Sequence, residues 1–255
     1  LGTSGDKATL FTTDGAIVDS RVAGYGVEYS HGSWAEQDPE DWRNAVFSAV
    51  RELVERSQAE PEQVMGIGFS GQMHGLVMLD ENGKPIRRSI IWCDQRTAKE
   101  VAEITDKVGA DRMIEITANP AITGFTAAKI MWVKNNEPQN YEKCRHILLP
   151  KDYIRFMLTG EFATEVSDAS GMQLLDIPNR CWSDEVLNKL GIDKALLARV
   201  YESPEITGTI TAKAAELSSV AATTTISFPF WRAIRPKSRL TVAFVSCGMS
   251  SWRIS

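Results

Sequence analysis

One short stretch of the chain carries the residue types best suited to hold a small polar molecule. Gln72 and His74 lie in a glycine-rich corner, residues 66–75, and His74 is one of only three histidines among 255 residues. An apolar run enters this corner and a second one leaves it. Because glycine has no side chain, the backbone can approach a ligand closely there. Polar groups on a tight corner between two buried strands are typical of a small-molecule site.

Two other interpretations of this corner are open. Its three glycines over residues 66–71 fit the spacing G-x-G-x-x-G, but the dinucleotide motif requires a helix to begin at the glycines. The chain continues instead as an apolar run into an Asn82-Gly83 turn, which predicts a hairpin. His74 can also be a buried histidine whose ring nitrogens are satisfied by neighbouring groups.

A second candidate site lies at residues 2–4. Gly2, Thr3 and Ser4 form a glycine- and hydroxyl-rich turn before a predicted strand over residues 8–11. Such a turn offers backbone N–H groups and hydroxyls to a phosphate. Turns are rich in these residues for structural reasons as well, so composition alone leaves both roles open.

The elements that position these residues alternate between strand pairs and helices. Asp38 and Pro39 predict the start of a helix, whose apolar stripe runs from Trp42 to Leu53. We also predict helices from residue 95 onward and over residues 126–135, 151–158, 183–191 and 192–200, a buried strand over residues 146–149 and a polar loop over residues 167–171. This alternation predicts an α/β domain with a mixed sheet flanked by helices.

Composition restricts the partners and the compartment. The net charge of -5 argues against a nucleic-acid partner, and no run approaches the ~18 apolar residues of a membrane span. The chain does not open on a secretory signal, and its four cysteines include no C-x-x-C pair, so neither a zinc site nor a disulfide framework is indicated. We therefore expect a cytoplasmic protein without a membrane partner.

The charge changes sharply near the end of the sequence. Residues 217–255 contain no Asp or Glu and carry a charge of +5, whereas residues 1–216 carry -10. The tail also loses the periodicity of helices and strands. We expect it to be poorly packed.

Several blocks together resemble the FGGY family of carbohydrate kinases, and within it the xylulokinases. Residues 1–4 with Lys7 resemble the family's D-x-G-T-S phosphate hairpin, and residues 32–39 resemble its G-W-x-E-Q-D-P segment. Residues 72–75, Gln-Met-His-Gly, have the xylulokinase form, and residues 92–97 resemble the W-x-D-x-R-T block. The later matching blocks are residues 119–126, 158–161 and 167–171.

The resemblance implies an actin-like, ribonuclease H-like fold and ATP-dependent phosphorylation of a ketopentose. D-xylulose is the expected substrate, with another ketose or polyol as an alternative. It places the substrate-binding residues at Gln72, Met73, His74, Trp92 and Asp94. A homodimer is compatible with the resemblance.

The resemblance also implies a phosphate side and its cofactors. The residues expected to face the ATP phosphates are Gly2, Thr3, Ser4 and Lys7. Mg²⁺ would bridge the phosphates, mostly through water, with no protein metal site in this chain.

The domain prediction follows from the same resemblance. Residues 1–216 match the sugar-binding N-terminal domain without its first strand, which we expect to leave a sheet edge or groove bare. The C-terminal ATP-binding domain and the catalytic aspartate of the block G-[AG]-G-D-[NQ]-A-A are expected to be missing. Codons for residues 231–236, read one base out of register, can encode Ala-Gly-Asp-Gln-Ala. We therefore hypothesise an out-of-frame tail over residues 217–255, and a chain that is an inactive fragment or a non-catalytic sugar-binding remnant.

Overall fold

A six-stranded mixed sheet organises the computed structural model, which describes residues 1–227 and 240–244. The strands are β1 (Gly5–Thr12), β2 (Ile17–Gly24), β3 (Glu28–Ser30), β4 (Trp34–Gln37), β5 (Val64–Phe69), β6 (Val77–Leu79), β7 (Ser89–Ile90), β8 (His146–Leu148), β9 (Ala163–Glu165), β10 (Leu175–Asp176), β11 (Cys181–Trp182), β12 (Arg199–Tyr201), β13 (Ile206–Thr209), β14 (Thr225–Ser227) and β15 (Leu240–Phe244). The sheet order is β13-β14-β5-β15-β1-β2. β5 is parallel to both β14 and β15, and the β1 pairings are antiparallel.

Helices cover the sheet and build a second layer beside it. They are α1 (Pro39–Ser57), α2 (Ala98–Val108), α3 (Ala110–Thr117), α4 (Thr126–Asn136), α5 (Pro138–Lys143), α6 (Pro150–Thr159), α7 (Val166–Ala169), α8 (Asp184–Leu190) and α9 (Ala212–Ser218). Single 3₁₀ turns lie at Pro61–Gln63, Ser170–Met172 and Lys194–Leu196. Within the described residues, no helix is both long enough and apolar enough to cross a membrane.

Helix α1 begins where the sequence predicts it, because local capping and an apolar stripe agree. The Asp38 carboxylate accepts a hydrogen bond from the Glu40 N–H, a cap worth about 0.5–2 kcal/mol. Trp42, Val50 and Leu53 are fully buried against the sheet, and each such side chain stabilises the fold by ~1.5–3 kcal/mol. α6 and α9 pack against the same helix.

A second apolar core lies among α2, α3, α4 and α8 and the small β6–β8 sheet. Ile104, Ile130 and Val186 are fully buried there. β5 of the six-stranded sheet runs into the corner over residues 66–75, and β6, which follows the corner, pairs with β8. The corner therefore joins two different sheets.

Three sequence predictions of secondary structure are wrong. Residues 167–171 are helical rather than a loop, because the Glu165 side chain accepts the N–H groups of Ser167 and Asp168 and caps α7. Residues 199–201 form strand β12, parallel to β9, rather than the end of a helix. α2 begins at Ala98 instead of residue 95, because the Asp94 carboxylate accepts the Arg96 N–H and holds a turn there.

The expectation of a poorly packed tail is wrong for its described part. Strand β14 pairs with β5, and β15 lies between β1 and β5 near the middle of the sheet. Val242 of β15 is fully buried, and Thr241 is nearly so. β15 is paired along both of its edges, with β1 on one side and β5 on the other. Residues 231–236, on which the out-of-frame hypothesis depends, lie outside the described residues.

Candidate functional site

The predicted corner is a bend with an unusual backbone conformation at its histidine. β5 ends at Phe69, β6 begins at Val77, and no helix starts between them, so the glycines do not form a dinucleotide motif. His74 has φ +62°, in the left-handed region that residues other than glycine seldom adopt. Such a conformation costs of order 1–3 kcal/mol and persists only where surrounding structure holds it.

The His74 imidazole lies between the ring of Phe125 and the backbone of Gly171, which has no side chain. Its centroid is 4.1 Å from that of Phe125, with the two rings tilted by 48°. A Cβ placed on Gly171 would lie 2.3 Å from His74 Nδ1, so only glycine leaves room for the ring there. Gly171 belongs to the helical turn after α7 that the sequence predicts as a loop.

The surroundings of His74 keep its imidazole neutral at physiological pH. Burial first, and then the nearby charge of Lys129, lower the pKa of His74 to about 4, while the backbone of Gly171 opposes both. A neutral imidazole has one donor nitrogen and one acceptor nitrogen. Because Nδ1 is buried against Gly171, Nε2 is the nitrogen that can exchange a hydrogen bond with a hydroxyl group.

The carbonyl oxygen of His74 is held by two side chains of α4. Lys129 Nζ donates to it over 2.8 Å, and Thr126 Oγ1 donates over 3.2 Å. Lys129 Nζ also donates to Gly124 O over 2.8 Å. Its side chain is fully buried, and this burial lowers the pKa of Lys129 to about 7, against the opposing charge of Asp94.

The sequence interpretation missed Lys129. The residues on either side of Lys129 along α4 are apolar and buried. Its position inside this apolar run is therefore a sequence signal for a buried lysine. A lysine within an apolar segment is usually assumed to point to solvent.

Met73 within the bend and Trp92 after β7 both present large side chains to solvent. Met73 is 53% exposed and Trp92 is 44% exposed. Trp92 Nε1 donates a hydrogen bond of 2.9 Å to Thr3 Oγ1. The structure thus joins a residue predicted for the sugar side to one predicted for the phosphate side.

Gln72 and Asp94, also predicted as sugar contacts, point into the protein. Gln72 Nε2 donates to Gln37 Oε1 over 2.8 Å, and Gln37 Nε2 donates to Thr3 O over 2.7 Å. Both oxygens of the fully buried Asp94 accept protein donors, with Ala35 N at 2.6 Å from Oδ2. These two side chains connect the site to the surrounding structure.

Arg96 completes the anchoring of Asp94. Its Nη2 donates to Asp94 Oδ2 over 2.7 Å, and its guanidinium lies 3.8 Å from the centroid of the Trp34 ring. Asp94 is therefore paired with a cation that is itself stacked and buried.

In the turn over residues 2–4, both backbone polar groups of Gly2 have hydrogen-bond partners within the protein. Gly2 N donates to Gly5 O over 2.9 Å, and Tyr25 Oη donates to Gly2 O over 2.6 Å. The Ser4 side chain is exposed, and Thr3 is half-buried. Lys7 lies three residues farther along β1, half-buried and opposite Val22 of β2.

A protein-held metal centre is not built from the described residues. Among residues 1–227 and 240–244, no group of three His, Cys, Asp or Glu side chains is arranged to hold a metal ion. Mg²⁺ commonly binds through substrate phosphates and water with few protein ligands, and that mode needs no such group.

Comparisons with known proteins agree with this architecture. Residues 1–228 match the model of the N-terminal domain of the FGGY family of carbohydrate kinases. The xylulose kinase of Lactococcus lactis is 42% identical over 216 residues, which are 85% of this chain and 43% of that protein. The chain thus spans less than half the length of the curated relatives it matches.

Solved structures give the same result for the fold. A xyloylose kinase from Brucella ovis superposes with a TM-score of 0.84 at 36% identity, covering 89% of this chain and 46% of the other. A gluconate kinase from Lactobacillus acidophilus gives 0.83 at 25% identity, covering 89% and 45%. The predicted actin-like, ribonuclease H-like α/β fold is confirmed.

Proposed function

Because this chain belongs to the FGGY family of carbohydrate kinases, we propose that its protein transfers the terminal phosphoryl group of ATP to a ketopentose. The substrate that we propose is D-xylulose, with D-xylulose 5-phosphate as the product. This chain supplies the sugar-binding part of the site. The observation that carries the proposal is the His74 bend, where a neutral imidazole follows the exposed side chain of Met73 directly in the chain.

These side chains match the two surfaces of a sugar. Nδ1 of His74 is buried against Gly171, so Nε2 is the nitrogen available to a hydroxyl group of the ketose, as donor or acceptor according to the tautomer. The Met73 thioether and the Trp92 ring offer apolar contact to its C–H groups. Fixing the orientation of the attacked hydroxyl can supply roughly 7–11 kcal/mol of the barrier reduction in such reactions.

His74 orients the sugar and does not take its proton. A pKa of about 4 makes His74 a weak base at neutral pH, and a general base works best with a pKa near the working pH. We therefore assign His74 a binding role.

The turn at Thr3 and Ser4 is the proposed contact for the ATP phosphates. Hydroxyls and backbone N–H groups in a tight turn can donate to phosphate oxygens, and Lys7 lies on the strand that follows. Mg²⁺, bound through the phosphates, would neutralise their developing charge. The hydrogen bond from Trp92 to Thr3 supports the proposal, because phosphoryl transfer needs the sugar and phosphate sites side by side.

Calorimetric titration of the chain with a sugar panel tests the assignment. We expect saturable binding of D-xylulose, at least about 10-fold tighter than that of D-ribulose or gluconate. Gluconate is included because a gluconate kinase has a similar structure. Tighter binding of gluconate than of D-xylulose would reassign the substrate. Binding of D-xylulose without ATP turnover would favour a sugar-binding module, and no binding of any sugar would contradict the proposal.

A further inference from the structure

We propose that Lys129 is a positioning residue for the sugar site: its ammonium group holds the His74 carbonyl and thereby fixes the backbone conformation that aims the imidazole. The inference rests on the proposed function, because it takes the His74 ring to be the sugar contact. It adds Lys129 of α4, a residue that lies outside the matching sequence blocks.

The first argument is the geometry of the bend. His74 adopts φ +62°, which an L-residue does not favour, so neighbouring groups must hold it. The ring is restrained by Phe125 and Gly171, but these contacts do not act on the peptide group. The carbonyl is restrained by Lys129 Nζ at 2.8 Å and Thr126 Oγ1 at 3.2 Å.

The second argument is that Lys129 ties two loops together. Its Nζ bonds to His74 O in the bend and to Gly124 O in the loop before α4, each over 2.8 Å. Phe125, which contacts the His74 ring, follows Gly124 directly. One ammonium group therefore fixes both the peptide group of the histidine and the segment that carries its aromatic partner.

The third argument is the cost of burying this charge. Lys129 is fully buried, and its two hydrogen bonds go to neutral carbonyls rather than to carboxylates. Burying an ammonium group is unfavourable even when it is hydrogen-bonded. Ile130 and Met131 beside it are buried and apolar, so an apolar residue would suit this environment. The buried amino group, whose pKa burial lowers to about 7, is accounted for by the two carbonyls to which it donates.

Helix α4 provides a matched control in Lys134. Lys134 Nζ also donates to two carbonyls, to Gly191 O over 2.6 Å and to Leu190 O over 3.2 Å. Gly191 has φ +62°, as His74 does, but glycine adopts that conformation without strain. Lys134 holds the end of α8 and does not contact the bend.

The test compares K129M with K134M in the full chain. We expect K129M to weaken D-xylulose binding at least 10-fold in calorimetry, and K134M to change it less than 2-fold. The NMR resonance of the His74 imidazole gives a readout without sugar. In K129M we expect that resonance to shift and the pKa of His74 to rise, because a neighbouring positive charge is removed. In K134M both should stay as in the wild type.

The outcomes separate this inference from the proposed function. Absence of sugar binding by the wild type would reject the function, while the His74 resonance would still test the role of Lys129. Binding by K129M within 2-fold of the wild type, or an unshifted His74 resonance, would overturn the inference. If K129M does not fold by circular dichroism, T126V removes the longer bond to the same carbonyl. We expect about 2–5-fold weaker binding for T126V, and an unchanged affinity would overturn the inference.

Discussion

The two halves of the proposed site are held in place in different ways. The turn over residues 2–4 is closed by its own backbone and by Tyr25 from the neighbouring chain segment. The bend at His74 depends on residues far away in sequence: Phe125, Lys129 and Gly171. The phosphate side therefore combines a bond within its own turn with hydrogen bonds from Tyr25, Gln37 and Trp92. The sugar side exists only once α4 and the turn after α7 have packed against the bend.

The strongest expected effect comes from filling the space next to the imidazole. In G171A, the new methyl group would lie 2.3 Å from His74 Nδ1, so either the ring or the helical turn must move. We expect about 10–100-fold weaker D-xylulose binding, from an overpacking cost of ~1–3 kcal/mol. Calorimetry measures this change. G26A is the control, because a Cβ at Gly26 meets nothing within 4 Å. Equal affinity of G171A and G26A would show that the ring does not contact the sugar.

The second prediction concerns the pH dependence of the free energy of unfolding, which reports on the burial of the His74 imidazole. The unfolded chain binds a proton at His74 below about pH 6.5, whereas in the folded protein the pKa of His74 is about 4. As the pH falls from 6.5 to 4, protons therefore bind the unfolded state first. The free energy of unfolding of the wild type should fall relative to that of H74N over this interval and then stay parallel to it.

Urea denaturation of both proteins at pH 7 and pH 4.5 measures the difference. We expect a change of the order of 1 kcal/mol, because water screens the half-exposed ring. Parallel stability profiles at both pH values would mean that His74 titrates normally, and would contradict this account of its burial.

The smallest expected effect tests the link between the two halves. The hydrogen bond from Trp92 Nε1 to Thr3 Oγ1 is partly open to water, so its coupling free energy should be only about 0.5 kcal/mol. A double-mutant cycle with W92F and T3V in urea denaturation measures it. Strictly additive effects of the two substitutions would indicate that the sugar and phosphate sides are not joined by this bond.

Local patterns in the sequence predicted much of the fold for identifiable reasons. Asp38 and the stripe of α1 agree, and helix α4 over Thr126–Asn136 follows its apolar pattern. Helix α7 was missed because its cap is Glu165, which is not among the usual capping residues. β12 was missed because its partner β9 lies far away in sequence, so pairing rather than propensity decides its conformation.

The site itself was predictable only in part. The glycine-rich corner and its histidine stand out in the sequence, as do the glycine and hydroxyls of residues 2–4. The left-handed backbone of His74, the room left by Gly171 and the buried ammonium of Lys129 follow from tertiary packing. The inward orientation of Gln72 and Asp94 also depends on partners elsewhere in the chain, Gln37 and Ala35.

One titration tests the central claim, that the His74 imidazole binds the sugar, most directly. D-xylulose is added to the full chain while the imidazole resonances of His31, His74 and His146 are followed by NMR. We predict that the His74 resonance shifts and saturates with the sugar concentration, while those of His31 and His146 stay fixed. Saturable sugar binding with an unmoved His74 resonance would contradict the account.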